Sequence, residues 1–366
     1  MPGRYRDALW QLLVGSVLAW STAWAQDNAG AQITADSLLR KVAMAVNETD
    51  YEGTLVRSSG GRIDTMHVWH RNDDGVILEK LVSMDGEGRE VIRRGDELIC
   101  LWPKRKEKLI DRDVGDTNAF LNLPETVGAI DKMYVLKMGP VARVAGREAV
   151  TAMIRPRDRL RYGYRLWLDR QTMLPLRMLT LSQRGVVEEI RFADLKTDIN
   201  IPDSVFDSDI DSRDFKISYV GSAEKAPQPR AVTLDSAMQA APAEQKTGPQ
   251  PVRLEWPREP QSGFQLRSSS VVMINNMVSQ SWVLSDGLAT VSLYITQPDP
   301  ASLPSAPQFT RMGAANSYRQ PVGRYLITLV GEVPIDTLQM LATTTEGAIP
   351  QQRVDSAEDS KGAAIE

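Results

Sequence analysis

The chain has 366 residues, 42% of them hydrophobic and 25% charged, with 25 Gly and 21 Pro; such proportions suit a soluble globular protein and exclude collagen-like, coiled-coil and wholly disordered chains. The formal charge of −4 argues against a general nucleic-acid binder, which usually carries a strong basic excess. One cysteine, Cys100, excludes an intramolecular disulfide and a Cys-rich zinc site, and two histidines, His67 and His70, leave little for histidine-based catalysis.

The N-terminus has the layout of a secretory signal peptide. Arg4 and Arg6 form a basic start, an apolar run fills 8–25, and Ala23-Trp24-Ala25 is an A-x-A cleavage site. Cleavage is expected after Ala25, and no cysteine follows to make a lipoprotein. Removing Arg4, Arg6 and Asp7 with the leader leaves 41 basic and 46 acidic residues. No later run approaches the ~20 apolar residues of a spanning helix. An exported chain of this size without disulfides fits the bacterial periplasm.

Residues 34–48 place Leu38, Leu39, Val42, Ala45 and Val46 on one helical face, with Thr34 or Asp36 as cap. The period then changes to that of strands: 51–58, 62–70, 76–84, 89–93 and 98–102. Turn signals separate them, including Gly60-Gly61, Asn72-Asp73-Asp74-Gly75 and Asp85-Gly86-Glu87-Gly88. Residues 124–132 read as a short helix. A second meander follows over 134–138, 148–155, 162–169, 176–182 and 186–195. The pattern predicts an α+β fold: a curved antiparallel sheet, an unclosed barrel, covered by helices. Residues 221–250 have no aromatic residue and are rich in Ala, Pro and Gln, the composition of a linker. A smaller α+β domain spans 252–342, with strands at 282–284, 289–296 and 323–331 and a helix at 335–342 opened by Pro334. The polar tail 343–366 is expected to be disordered. The domain division is thus 1–25, 26–220, a linker at 221–251, 252–342 and the tail.

The candidate sites each have a plain structural alternative. His67 and His70 are three apart on a strand and face opposite sides, so they do not share a metal. No H-E-x-x-H, G-x-S-x-G or P-loop pattern occurs. Cys100, among Leu98, Ile99, Leu101 and Trp102, reads as a small buried hydrophobe. These absences disfavour an enzyme, and no cofactor is expected. Residues 101–165 hold 14 Lys/Arg against 8 Asp/Glu, with clusters at Lys104-Arg105-Lys106-Lys108 and at Arg155, Arg157, Arg159, Arg161 and Arg165. On an extended segment the five arginines share a parity and face one way. Arginine forks suit phosphate, and a basic strand edge equally suits plain solvation. Trp69, Trp102 and Trp167 fall on strands of the first domain, either in its core or lining a concave lipid- or peptide-binding surface with Tyr162 and Tyr164.

The run Tyr51-Glu-Gly-Thr-Leu-Val to His67-Val-Trp-His resembles the start of the periplasmic RseB/MucB family, regulators of the envelope-stress sigma factor. So do Val144-Ala-Gly-Arg-Glu-Ala, Arg161-Tyr-Gly-Tyr-Arg-Leu-Trp-Leu-Asp, Leu174-Pro-Leu-Arg and Ile201-Pro-Asp-Ser-Val-Phe. In the second domain, Ser285-Asp-Gly-Leu-Ala-Thr-Val-Ser and Val330-Gly-Glu-Val-Pro are similar too. The resemblance implies a non-enzymatic regulator that binds the periplasmic region of a membrane-spanning anti-sigma factor. It shields that partner from site-one proteolysis and is released by lipopolysaccharide or lipoprotein acyl chains. It also implies a first domain like the periplasmic lipoprotein carriers, and leaves a homo-oligomer open. A carrier of lipoprotein or lipid with the same fold is the alternative. On the regulator reading, Arg155, Arg157, Arg159, Arg161 and Arg165 are candidates for lipopolysaccharide phosphate. Trp69, Trp102, Tyr162, Tyr164 and Trp167 are then candidates for the apolar ligand surface.

Overall fold

The structure is a computed structural model, and it describes residues 34–112, 130–220, 262–274, 277–347 and 349. The signal peptide, the linker and most of the tail lie outside the described residues. All the elements below belong to one compact unit, Ala35–Glu366.

Helix α1, Ala35–Glu48, buries Leu38, Leu39, Val42, Ala45 and Val46, the face that its spacing predicts. Its first turn is also held from outside, because Ala35 N donates to Asp131 Oδ1. The strands that follow are β1 (Tyr51–Ser59), β2 (Arg62–Asp73), β3 (Val76–Ser83), β4 (Glu90–Arg94), β5 (Glu97–Trp102) and β6 (Glu107–Asp111). A four-residue helix, α2 (Ile130–Met133), leads into β7 (Tyr134–Val144), β8 (Arg147–Pro156), β9 (Gly163–Asp169), β10 (Pro175–Ser182), β11 (Gly185–Thr197) and β12 (Lys216–Val220). Most of the predicted 124–132 helix lies outside the described residues.

These twelve strands form one sheet in the order β12-β6-β5-β4-β3-β2-β1-β11-β10-β9-β8-β7. Its two ends do not pair, so the barrel is unclosed, as its meander pattern predicts. β6 and β12 were not anticipated, and they pair in parallel, the one departure from an antiparallel sheet. A five-residue strand beside Lys104–Lys108 carries too little apolar alternation to be seen, and its partner comes from about a hundred residues away.

The inner face of the sheet is its main dry side, and the outer face is also buried over β3–β6, at Lys80, Ile92, Leu101 and Ile110. On the inner face Tyr51, Leu55, Met66, Val68, Leu81, Ile154, Leu166 and Phe192 pack with α1 into one core. Each such side chain contributes about 1.5–3 kcal/mol by leaving water.

The second sheet has six strands: β13 (Gln265–Ile274), β14 (Met277–Ser285), β15 (Thr290–Thr296), β16 (Gln308–Met312), β17 (Ala315–Val322) and β18 (Tyr325–Gly331), in the order β13-β14-β15-β18-β17-β16. Phe264, Trp282, Leu293, Ile327 and Leu329 pack against Leu338 and Leu341 of α3, Ile335–Glu346. The helix runs four residues past the predicted end at 342. Packing carries it on, since Thr345 is buried on the same side as Leu338, Leu341 and Ala342; the Thr343, Thr344 and Thr345 hydroxyls are satisfied on the carbonyls four residues back.

A candidate ligand cavity at the domain junction

The segment after β8 decides how the two sheets meet. β8 ends at Pro156, so residues 157–162 are not extended. Asp158 Oδ1 accepts from Leu160 N and from Arg161 Nε, which turns Arg161 inward. Its guanidinium is 0% exposed and donates to Asp286 Oδ2 at 2.5 Å and to the Ser262 carbonyl at 2.6 Å. It lies over the rings of Phe264 and Tyr134, 5.3 and 5.8 Å from their centroids. Tyr134 donates its hydroxyl to the same Asp286 oxygen at 3.0 Å. Burial and the Asp286 charge push the Tyr134 phenol far above its ordinary value, so it stays a donor.

Asp286 has a second task. Its Oδ1 accepts from Leu288 N and Ala289 N, which fixes the Ser285-Asp286-Gly287 turn. That turn pushes Leu288 into the core of the first domain, and Ala314 joins it there. Asn316 Nδ2 donates to Tyr162 Oη at 3.0 Å, and Thr337 Oγ1 donates to the Leu160 carbonyl at 2.6 Å. Two glycines allow the close approach. A Cβ on Gly263 would lie 2.5 Å from Met133 Cε, and one on Gly313 would strike Arg57 and Glu188.

Beside this junction lies a cavity of about 390 Å³, within the ~300–1,000 Å³ range of ligand pockets. Leu55, Met66, Leu81 and Tyr164 supply apolar wall from the first domain; Leu288 and Val330 do so from the second. The charged lining is Arg57, Arg89, Glu188 and Glu332, with Thr290 and Ser292 as neutral polar neighbours. Arg57 pairs with Glu188 at 2.5 Å. Burial, and then the Glu188 charge, pushes the Glu332 carboxyl up against the opposing pull of Arg57.

The sequence candidates scatter over this frame. The five arginines do not form one stripe. Arg155, Arg157 and Arg159 are exposed, and Arg157 Nε donates to the Asp131 carbonyl. Arg161 is the buried centre of the junction, committed to Asp286, and is removed from the candidate phosphate donors. Arg165 lies on the outer face beside Trp167. The aromatics divide likewise. Tyr164 lines the cavity, and Trp102 is on the inner face with Cys100. Tyr162 belongs to the junction, while Trp69 and Trp167 sit on the outer face, opposite the side that lines the cavity. Residues that the sequence reading missed are Asp286, Leu288, Arg57, Arg89, Glu188 and Glu332. The turn signal at Ser285-Asp286-Gly287 and the family-like runs 285–292 and 330–334 contain Asp286, Leu288 and Glu332 without marking a site.

His67 is half-buried on the outer face and packs on Trp69, while His70 is fully buried on the inner face. They face opposite ways, as the strand period requires. Among the described residues no group of three or more His, Cys, Asp or Glu side chains is placed to hold a metal. Burial raises the Cys100 thiol above its usual pKa, which disfavours the thiolate a nucleophile needs. No described helix is long and apolar enough to cross a membrane.

Comparison with known proteins agrees with this two-sheet plan. The MucB/RseB N-terminal domain model matches residues 34–210, and the MucB/RseB C-terminal domain model matches 252–346. The sigma factor AlgU regulatory protein MucB of Pseudomonas aeruginosa is 33% identical over 188 residues, 51% of this chain and 56% of that protein. The match thus spans little more than half of that relative. The sigma-E factor regulatory protein RseB of Escherichia coli is 25% identical over 337 residues, 90% of this chain and 94% of that protein. Among solved structures, the Pseudomonas aeruginosa MucA/MucB complex superposes with a TM-score of 0.57 at 26% identity, covering 84% of this chain and 96% of that one. MucB in complex with MucA(peri) gives 0.57 at 25% identity, covering 83% and 96%. With both domain models matched in order across both sheets, the chain belongs to the MucB/RseB family.

Proposed function

We propose that this chain is a periplasmic negative regulator of an envelope-stress sigma-factor pathway, made of domains 26–220 and 252–342 joined by a linker at 221–251. It binds the periplasmic segment of a membrane-spanning anti-sigma factor and shields it from site-one proteolysis. The observation that carries this reading is the match of both MucB/RseB domains to a chain whose relatives were solved in complex with MucA. Lipopolysaccharide or lipoprotein acyl chains release the partner. A ligand that binds the free form better than the complex must weaken the complex by the same factor. The junction cavity is the place for such an amphiphile, with apolar wall beside Arg57 and Arg89. The lipid-carrier alternative fits less well, because Leu288, Ala289, Val330 and Glu332 of the second domain line the cavity. A carrier works without a second domain.

The test mixes the full chain with the periplasmic segment of its anti-sigma factor and the site-one protease. Cleavage should slow at least about tenfold, and lipopolysaccharide should restore it. The H67Q/C100A variant should protect equally well, since neither residue touches the junction. Cleavage at the same rate with and without the chain would reject the proposal.

A further inference from the structure

The outer face of the large sheet carries an arginine ladder built on one tryptophan. Strand register sets Trp167 of β9 opposite Arg177 of β10, and Arg177 opposite Arg191 of β11. Arg165 stands two residues before Trp167 on the same face. The guanidinium of Arg177 lies 4.6 Å from the Trp167 ring centroid and that of Arg165 lies 5.9 Å away. Glu189 is the one carboxylate in the ladder, 2.9 Å from Arg177 and 3.8 Å from Arg191. Three guanidinium groups against one carboxylate leave the ladder positive on a protein of net charge −4. Arg191 keeps 53% of its side chain in water although it is near Glu189. Arg165 has no carboxylate partner among the described residues.

We propose that this face docks on the surface of an anionic phospholipid bilayer. The face is the surface of a sheet that spreads its guanidinium groups over three neighbouring strands, and a bilayer presents many phosphates in a plane. The chemistry is two-part. Guanidinium groups bind phosphate through their planar forks, and the half-buried Trp167 indole beside two of them is an amphipathic ring of the kind that settles at headgroup depth. A soluble acidic partner would use the charges and leave the indole without a role. Leu179, across from Arg165 in the register, adds an apolar neighbour on the same face. The ladder lies on the outer side of the strands whose inner side lines the junction cavity through Tyr164, Met178, Glu188 and Ile190, so the two surfaces face opposite ways and the proposal stands without the regulator reading.

Sedimentation with vesicles tests this, using the full chain and no partner protein. The vesicles are phosphatidylethanolamine with phosphatidylglycerol, against pure phosphatidylcholine. Binding should appear only with the anionic vesicles and should fall steeply as salt shortens the screening length. Each basic residue near an anionic surface strengthens binding roughly fivefold, so R165Q/R177Q/R191Q should bind about 100-fold more weakly. The single variant R191E, at the most exposed rung, should lose at least about tenfold and disturbs no buried contact. Unfolding curves check that both variants stay folded. Equal binding to neutral vesicles, no binding by the wild type, or undiminished binding by folded R191E would each overturn the proposal. Binding to lipopolysaccharide aggregates but not to phosphatidylglycerol vesicles would overturn it too, and would give the face to a different lipid.

Discussion

Replacing Asp286 with Ala is expected to undock the two sheets. The substitution removes both halves of a fully buried ion pair's function at once. Arg161 is left charged and dry with one oxygen fewer, and the Leu288 and Ala289 amides lose their acceptor. Breaking one side of a buried charge pair costs roughly 3–5 kcal/mol. Thermal or denaturant unfolding should record that loss, and small-angle scattering should show a larger, more extended particle. The variant D286N separates the two tasks: its carbonyl oxygen can still accept from the turn amides while the charge is gone. It should keep the Leu288 turn and still lose much of the docking free energy. A double variant, R161M/D286L, should be less damaged than D286A, because no lone charge remains buried. If D286A unfolds at the wild-type midpoint and keeps the wild-type dimensions, the ion pair is not what holds the junction.

Acid should destabilise the chain through His70. This ring is stacked on Tyr51, with centroids 4.8 Å apart, and its Nδ1 is 3.0 Å from the Thr49 carbonyl, to which the neutral ring donates. Burial is the largest cause that lowers its pKa, to about 4, with Arg93 adding a little and Thr49 and Asp50 opposing. Across the inner face Glu79 stands opposite His70, and Arg93 opposite Glu79, so the ring titrates in a row of buried charge. The folded pKa lies below the unfolded one, so the unfolded state takes up the proton first. The stability is fully present above about pH 6.5 and is lost as pH falls toward 4. The whole span is worth about 3 kcal/mol. H70F keeps a ring against Tyr51 and removes the titration. Its stability relative to wild type should therefore rise as pH is lowered from 7 to 4. Glu332 has the opposite sign, since a raised carboxyl favours the folded state in acid, but it is common to both proteins and cancels in the difference. A pH-independent difference between H70F and wild type would refute the role given to His70.

Much of the first sheet could be read from its residues because its strands follow one another through short turns. Period and turn chemistry are local signals, and the strands from 51 to 102 and from 134 to 195 show both. The strands that escaped lack one of them. β13 reads Gln265-Leu-Arg-Ser-Ser-Ser and looks like loop, since its hydroxyl residues are outward on an edge strand. β17 carries Pro321, which a strand tolerates there because it sits one residue before the end. The site was harder. The five arginines share a face only if the chain is extended through 155–165, and Pro156 with the Asp158 turn breaks that run. Arg161 then meets Asp286, 125 residues away, which no local pattern encodes. Trp167 and Arg177 were visible as residues, but their stacking depends on the pairing register of β9 and β10.

The most direct measurement is calorimetric titration of the full-length chain with the periplasmic segment of its anti-sigma factor, repeated with D286A. If the docked pair of domains is what receives the partner, the wild type binds with a one-to-one heat and D286A binds at least about tenfold more weakly, because a docked form that is only partly populated lowers the apparent affinity by that fraction. No heat with the wild type, or wild-type affinity in a D286A protein that scattering shows to be undocked, would contradict it.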